Sequence, residues 1–286
     1  MTEPFPPLVS TDWLAERLYR ADIRVLDASW YLPTRGGRDP RSEYAAGHIP
    51  GALFFDVDAA SDRTSPLPHM LPKAADFADR MAAMGLDDTD DIVVYDGSGM
   101  NLSAARGWWM FRVFGHERVA VLDGGILKWR GEGRPLEAGI TRLTRGSFTA
   151  TLDAARVRDL ASVREALASR SEQVVDMRPA GRFAGVEPEP RPGVRGGHIP
   201  GSLNLPSQRL LASDGTVLPP GELRRRIEDA GVDLERPVIA LCGSGTSACA
   251  FIHALHLLGY ERSALYDGSW TEWGSRPDTS VVTGPA

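Results

Sequence analysis

Two cysteines, Cys242 and Cys249, are the strongest potential nucleophiles in the chain. Cys242 follows an apolar run, Val238–Leu241, and opens the segment Cys-Gly-Ser-Gly-Thr-Ser, after which Ala248 begins a predicted helix. A strand, a glycine-containing loop and a helix N-terminus direct several backbone N–H groups towards one point, where they stabilise an anion. The pattern therefore predicts a reactive thiolate at Cys242. A buried structural cysteine is the alternative, and we assign that role to Cys249, with a resolving thiol as its second interpretation.

A segment rich in arginine precedes this loop in the sequence, between Met177 and Arg191. The arginines of this segment are candidates for binding a carboxylate, because a guanidinium group grips both carboxylate oxygens at once and a lysine cannot. A substrate that carries a carboxylate needs such a clamp. The alternative is that these arginines are solvated or paired with Glu187 and Glu189.

A long, proline-rich loop in the first half of the chain carries an aspartate and a histidine, Asp58 and His69. Loops of this length are uncommon unless they have a function. The two residues are eleven positions apart, so they can meet over a hydroxyl group and relay a proton. The competing interpretation of His69 is an exposed loop residue with no special role.

The composition is that of an ordinary globular protein, with 42% of the 286 residues hydrophobic and 24% charged. The formal net charge is −6 and the longest basic run is Arg224–Arg226, so we expect no nucleic-acid partner. Two cysteines exclude a disulfide framework and favour a reducing compartment. The sequence has neither a run of eighteen apolar residues nor the pattern of a signal peptide. We therefore expect a soluble, cytoplasmic protein with no membrane partner.

The second half of the chain repeats the pattern of the first. The pentapeptide Gly-His-Ile-Pro-Gly occurs at residues 47–51 and again at 197–201. In the same order, Asp91–Gly99 matches Pro237–Gly245, which puts Asp96 where Cys242 stands. Matches at nearly constant spacing indicate two copies of one fold. Only the second copy carries the candidate nucleophile, because an aspartate cannot act as a sulfur nucleophile.

Each copy alternates short apolar runs with helical patterns. This alternation predicts an α/β protein with two tandem domains, each a mostly parallel sheet flanked by helices on both faces. Helices are predicted over residues 103–114 and 247–258, each followed by a glycine. Ser162 and Glu165 resemble the capping box that begins a helix.

The predicted domain boundaries follow from the repeat. The N-terminal domain, without a catalytic cysteine, is expected over residues 1–138, and the C-terminal catalytic domain over residues 156–286. Residues 139–155 are rich in Gly, Thr and Arg and show no sustained apolar period, so we interpret them as a linker.

With its doubled pentapeptide and its cysteine loop, the chain resembles the two-domain rhodanese sulfurtransferases from about Leu26 to Trp273. It is most similar to the members that use 3-mercaptopyruvate, whose loop reads Cys-Gly-Ser-Gly-Val-Thr. The members that use thiosulfate carry Cys-Arg-Lys-Gly-Val-Thr instead. Thr246 and Ser247 depart from Val-Thr, but they keep the β-branched side chain and the hydroxyl.

The resemblance implies transfer of a sulfane sulfur from 3-mercaptopyruvate, through a persulfide on Cys242, to a thiol or cyanide, with release of pyruvate. It implies catalytic roles for Ser244, His69 and Asp58 beside the cysteine. The substrate-binding residues that it implies are Arg182, Arg191, Gly243, Gly245, Thr246 and Ser247. It implies no metal or organic cofactor, and an acceptor that is either a low-molecular-weight thiol or a thioredoxin-like dithiol.

Three other functions compete with this interpretation. The first is thiosulfate sulfurtransferase activity, and the second is a persulfide carrier that only relays sulfur to a protein partner. The third is a cysteine-dependent phosphatase, which also places its cysteine between a strand and a helix. A phosphatase needs an arginine in the loop to hold phosphate oxygens, and residues 243–249 contain none.

Overall fold

The computed structural model describes residues 5–32 and 37–285. Within them the chain divides into two compact units. The first unit takes in the chain up to Arg63, Leu71–Asp153 and Ser213–Thr216, and the second takes in Thr64–Met70, Ala154–Ala212 and the chain from Val217 onward. The segment that carries His69 therefore belongs to the second unit, although it lies in the first half of the sequence.

The first unit is built on a five-stranded sheet whose strand order is β1-β5-β4-β2-β3, with every pair parallel. Its strands are β1 (Leu8–Val9), β2 (Ile23–Asp27), β3 (Leu53–Phe54), β4 (Asp91–Tyr95) and β5 (Val119–Leu122). Its helices are α1 (Thr11–Ala15), α2 (Pro40–Ala46), α3 (Ala74–Ala83), α4 (Leu102–Val113) and α5 (Gly125–Gly131).

The second unit repeats this topology, with strand order β6-β10-β9-β7-β8 and parallel pairing throughout. Its strands are β6 (Val157–Arg158), β7 (Gln173–Asp176), β8 (Leu203–Asn204), β9 (Val238–Leu241) and β10 (Ser263–Tyr266). Its helices are α6 (Leu160–Ser169), α7 (Ala180–Phe183), α8 (Pro220–Glu228), α9 (Ala248–Leu257) and α10 (Ser269–Ser275), with 3₁₀ turns at Ala154–Arg156 and Ser207–Leu210. Two parallel sheets flanked by helices confirm the predicted fold class.

The apolar runs in the sequence that form the central strands do not alternate between apolar and polar residues, and the structure shows why. Every residue of β4 and of β9 is buried, as expected for a parallel strand covered on both faces. The helices that follow them, α4 and α9, end two residues before Gly115 and Gly259, which adopt φ values of +92° and +77°. Glycine takes this left-handed conformation without strain, so both helix ends agree with the sequence-based prediction.

The start of α6 differs from the prediction. Asp159 is the N-cap residue, and its Oδ1 accepts hydrogen bonds from the Ser162 backbone N–H (2.8 Å) and the Ser162 hydroxyl (2.7 Å). The interpretation of Ser162 as the capping residue is therefore wrong. The helix begins three residues earlier than a cap at Ser162 would place it. Aspartate is as good an N-cap residue as serine, and the earlier start puts Leu160 and Val163 on the same apolar face of the helix.

Residues 139–153, most of the segment 139–155 that the sequence suggests as a linker, belong to the first unit. The Gly146 N–H donates to the Ala82 carbonyl at 2.8 Å, and the Thr151 N–H donates to the Phe114 carbonyl at 3.0 Å. Phe148 is only 6% exposed and lies against the ring of Phe77, with centroids 6.1 Å apart. One buried aromatic side chain and several backbone hydrogen bonds therefore attach this segment to the rest of the unit, although its composition is polar.

Within residues 5–32 and 37–285, no helix combines the length and the apolar character needed to cross a bilayer.

His116 in the first unit gives the stability of this protein a pH dependence. The side chain is 7% exposed and packs against Phe148, and its Nε2 has no hydrogen-bond partner among the residues that the structure describes. Burial lowers the pKa of His116, and its backbone hydrogen-bond partners and the nearby Asp88 and Asp90 offset this only in part. The unfolded chain therefore binds a proton more readily than the folded one, and stability falls as the pH drops below about 6.5.

We expect the midpoint of thermal unfolding to decrease between pH 8 and pH 5.5, and to decrease less in a His116→Phe variant. The phenylalanine fills the same aromatic site but has no proton to take up. Calorimetry of both proteins across this pH range checks the difference. Parallel curves for the two proteins would show that His116 does not carry the effect.

Candidate functional site

Cys242 lies directly after β9, at the carboxyl end of the central strand of the second sheet. Residues at the start of α10 donate hydrogen bonds to the backbone carbonyl groups of Cys242 and Gly243. The Trp270 N–H donates to the Cys242 carbonyl at 2.9 Å, and Thr271 donates to the Gly243 carbonyl from its N–H (2.9 Å) and its hydroxyl (2.6 Å). Cys242 itself is only 2% exposed. The loop leads into α9 at Ala248, where the Cys249 N–H donates to the Thr246 carbonyl at 3.3 Å and the Ala250 N–H donates to the Ser247 carbonyl at 3.2 Å.

Ser269 forms a hydrogen bond with the backbone N–H group of Cys242. Its hydroxyl accepts the Cys242 N–H at 3.3 Å and donates to the Tyr266 carbonyl at 2.8 Å. The residue is fully buried and has a φ of +50°, a conformation that costs a non-glycine residue about 1 kcal/mol or more. The equivalent position of the first unit is Gly125, with a φ of +55°. A side chain is therefore present at this turn only in the unit that has the cysteine.

Arg182 and Arg191 converge on the loop beside the cysteine. A Cβ atom placed on Gly243 would lie 3.3 Å from Arg182 Nη2 and 3.7 Å from Arg191 Nη1. Arg191 Nη2 is also 3.4 Å from the hydroxyl of Ser244. The two guanidinium groups and the residue after Cys242 thus surround one space. Glycine at position 243 keeps that space open.

Glu189 and Arg178 support this pair of arginines. Glu189 accepts from Arg182 Nη2 at 2.5 Å and from Arg178 Nη1 at 2.7 Å, and its side chain is 4% exposed. Arg178 also donates to Asp176 at 2.6 Å and lies 4.1 Å from the ring of Trp270. Burial lowers the pKa of Arg178, but the attraction of Asp176 and Glu189 outweighs this and the pKa stays above its usual value.

His69 lies in the segment Thr64–Met70 of the second unit and faces the same loop. Its Nδ1 is 2.9 Å from the Ser244 hydroxyl and 3.1 Å from the Thr246 hydroxyl. The side chain is buried, so His69 is not the exposed loop residue of the alternative interpretation. Its backbone φ is +60°, which indicates that its surroundings hold it in place. A neutral histidine in this position can accept from one hydroxyl or donate to it, depending on its tautomer.

Asp58 lies in the first unit, where its Oδ2 accepts the indole N–H of Trp30 at 3.0 Å. Its participation in a proton relay with His69 stays a prediction. Gly245 adopts a φ of +78°, which a glycine provides without strain at the sharpest point of the loop. Ser247 precedes α9, and its side chain makes no capping hydrogen bond.

The loop of the first unit that corresponds to the cysteine loop already holds an anion. Asp96 accepts from the Ser98 N–H at 2.8 Å, the Ala104 N–H at 2.9 Å and the Ser103 hydroxyl at 3.1 Å. The carboxylate therefore occupies the N-terminus of α4, the position at which α9 faces the cysteine loop. Among the residues that the structure describes, no group of three or more His, Cys, Asp or Glu side chains could hold a metal ion.

Ser269 and Arg178 are not among the site residues predicted from the sequence. The repeat contains a signal for both residues. Ser269 aligns with Gly125, and Arg178 follows Asp176 by two positions as Ser29 follows Asp27 in the first copy. A residue that acquires a hydroxyl or a charge only in the cysteine-bearing copy is a candidate for the site.

The two α/β units share one topology, and the second has a cysteine between its central parallel strand and the following helix. These features define a class of tandem-domain proteins with one cysteine loop. The model of the Rhodanese-like domain matches residues 10–132 and 159–276. The chain belongs to the rhodanese family.

Similar proteins include sulfurtransferases with two different donors in their names. The chain is 46% identical to the 3-mercaptopyruvate sulfurtransferase of Rattus norvegicus, over 97% of this chain and 95% of the relative. It is 45% identical to the thiosulfate sulfurtransferase of Cricetulus griseus, over the same shares. The crystal structure of SseA from Escherichia coli, a 3-mercaptopyruvate sulfurtransferase, matches with a TM-score of 0.85 at 39% identity, over 92% of this chain and 98% of SseA.

The hydroxyl of Ser269 should contribute measurably to the stability of the second unit. A Ser269→Ala variant retains the strained backbone but leaves the buried Cys242 N–H without its acceptor, which costs about 1–3 kcal/mol. The matched control is Ser275→Ala, which removes an exposed hydroxyl from the other end of α10. Urea unfolding should show a lower midpoint for Ser269→Ala and little change for the control. Equal midpoints for all three proteins would contradict this assignment.

Proposed function

We propose that this chain moves a sulfane sulfur from 3-mercaptopyruvate to a thiol or cyanide acceptor through a persulfide on Cys242, and that it releases pyruvate. The observation that carries the proposal is the convergence of Arg182 and Arg191 on Gly243, the residue next to the cysteine. This arrangement puts a carboxylate-binding pair within reach of a sulfur nucleophile. The donor must therefore carry both a carboxylate and a transferable sulfur.

The chemistry has two half-reactions. The Cys242 thiolate attacks the sulfur of 3-mercaptopyruvate, an S–S bond forms, and the C–S bond breaks with its electron pair passing to the pyruvate enolate. The enolate takes up a proton and leaves as pyruvate. In the second half-reaction a thiolate acceptor attacks the terminal sulfur, and Cys242 is regenerated as the thiolate. The cycle is ping-pong and needs no metal or organic cofactor.

The loop and its neighbours stabilise the charges that develop. Backbone N–H groups between Gly243 and Ala248 stabilise the persulfide anion, as a helix N-terminus stabilises other anions. We assign the proton step to Ser244 and His69, whose hydroxyl and Nδ1 are 2.9 Å apart, and to Asp58 as the third member of the relay. The acid that protonates the enolate then lies on the same loop as the nucleophile.

The donor preference follows from geometry and charge. The hamster relative is named for thiosulfate, so identity over the whole chain does not separate the two donors. The loop residues Gly243 and Ser244 are neutral, whereas a dianionic donor favours the Arg-Lys pair of the other loop type. Two planar guanidinium groups match the two oxygens of a carboxylate. Thiosulfate turnover is thus the alternative activity of the same loop, at a lower rate.

The remaining assignments are part of the same proposal. The acceptor is a low-molecular-weight thiol or a thioredoxin-like dithiol, because a persulfide is transferred by thiolate attack. We place the protein in the cytoplasm, where such acceptors are kept reduced. The domain boundaries are those of the repeat, with residues 1–138 and 156–286 as the two domains.

Replacing the nucleophile should abolish the reaction. A Cys242→Ser variant is expected to release pyruvate from 3-mercaptopyruvate only at background level, because the serine hydroxyl has no sulfur atom and cannot form a persulfide. The control is Cys249→Ser, whose hydroxyl can still donate to the Gly245 carbonyl that Cys249 Sγ contacts at 3.1 Å. Pyruvate release and the intact mass of each protein after exposure to the donor are measured together. Full turnover by Cys242→Ser would falsify the proposal, and added sulfur without turnover in the wild-type protein would indicate a carrier.

The clamp can be tested without changing its charge. Arg182→Lys retains the positive charge but loses the planar pair of donors, so it should raise the KM for 3-mercaptopyruvate by about tenfold and that for thiosulfate far less. Pyruvate from 3-mercaptopyruvate and thiocyanate from thiosulfate plus cyanide give the two rates. An equal effect on both donors would remove the carboxylate-binding role of Arg182.

A further inference from the structure

A buried chain of charges connects the end of β7 to the substrate clamp. Asp176 is fully buried, Arg178 is 1% exposed and Glu189 is 4% exposed, measured on their side chains. Arg178 donates to Asp176 at 2.6 Å, to Glu189 at 2.7 Å and to the Gly197 carbonyl at 2.7 Å. With so many fixed partners, Arg178 holds the Glu189 carboxylate in one orientation.

Glu189 in turn determines the orientation of the Arg182 guanidinium group. Its two oxygens accept from Arg182 Nε at 3.2 Å and from Nη2 at 2.5 Å, so they occupy one edge of the guanidinium group. The neighbouring edge, formed by Nη1 and Nη2, is the one that can meet a carboxylate at Gly243. Arg182 is 18% exposed, and its position is set by a partner that is almost completely buried.

The four charges of this chain cancel. Arg178 and Arg182 are matched by Asp176 and Glu189, and the low solvent exposure makes their mutual attraction stronger than it would be at the surface. Arg182 therefore offers the substrate two well-directed N–H donors with little net positive charge behind them. The binding of a planar monoanionic carboxylate depends mainly on well-directed N–H donors, whereas the binding of a dianion depends mainly on the net positive charge of the site.

Glu187, two residues earlier, provides a contrast within the same loop. It is exposed, and the part of the chain that the structure describes contains no ion pair for it. A neutralising substitution there removes the same formal charge from the same segment. It leaves the buried chain of charges intact.

We infer that Glu189 is a specificity-determining positioning residue, which directs Arg182 and cancels its charge so that the site prefers a monoanionic carboxylate donor over a dianionic one. This inference rests on the proposed function and extends it from the clamp to the residue behind it. Glu189 acts through Arg182 and does not itself contact the donor.

The experiment compares kcat/KM for 3-mercaptopyruvate and for thiosulfate, with cyanide as the acceptor for both. In Glu189→Gln the ratio of the two values should fall about tenfold, because one unbalanced positive charge then lies beside the donor and Arg182 loses its fixed orientation. The KM values should carry this change, with thiosulfate binding better and 3-mercaptopyruvate binding less well. Glu187→Gln should leave the ratio as it is in the wild-type protein.

A Glu189→Asp variant keeps the charge but draws the carboxylate back from Arg182, so the ratio should fall in the same direction by a smaller factor. This variant also serves if Glu189→Gln does not fold, which circular dichroism and thermal unfolding reveal. An unchanged ratio in the folded Glu189 variants, or an equal change in Glu187→Gln, would overturn the inference. Failure of the wild-type protein to release pyruvate would instead reject the proposed function.

Discussion

An anion at the junction of a central parallel strand and the following helix is the constraint on which both units depend. In such a fold the strand ends where the helix begins, so unpaired N–H groups collect at one point and require a negative partner. The first unit meets this requirement with the Asp96 carboxylate, which its own loop binds. The second unit has Cys242 at the same position. In the proposed function this cysteine carries the transferred sulfur, so the same architecture holds a fixed carboxylate in one unit and the proposed nucleophile in the other.

Differences between the two copies concentrate around that position. Asp27 and Asp176 end equivalent strands, but Asp27 is bound by the small Ser29 whereas Asp176 is paired with Arg178. Burial raises the pKa of Asp27, and the hydrogen bonds from Ser29 and Tyr95 offset this effect only in part. The position two residues after the strand-end aspartate is therefore a serine in the first unit and an arginine in the unit with the cysteine.

Buried ion pairs are expensive to form in water-free surroundings, and they are maintained only where their geometry is closely matched. Arg178 satisfies this condition because a carboxylate, a second carboxylate, a carbonyl and an aromatic ring surround it. Such a network contributes direction more than stability. The proposed discrimination between two small anions depends on the direction of the donors, because positive charge alone attracts both anions.

The two α/β copies and the loop that carries Cys242 could be predicted from the sequence, because apolar periodicity, glycine positions and the internal repeat are visible in the sequence without any three-dimensional information. The resemblance to a known family added Arg182 and Arg191 as candidates for carboxylate binding. The sequence did not show that His69 lies beside Ser244 or that Phe148 packs against Phe77. It also did not show that Glu189 pairs with two arginines, whereas Glu187 has no ion pair within the described part of the chain. These are contacts between residues far apart in the chain, or choices between equivalent neighbours. Burial and hydrogen-bond geometry select among them, and neither is encoded in a short stretch of sequence.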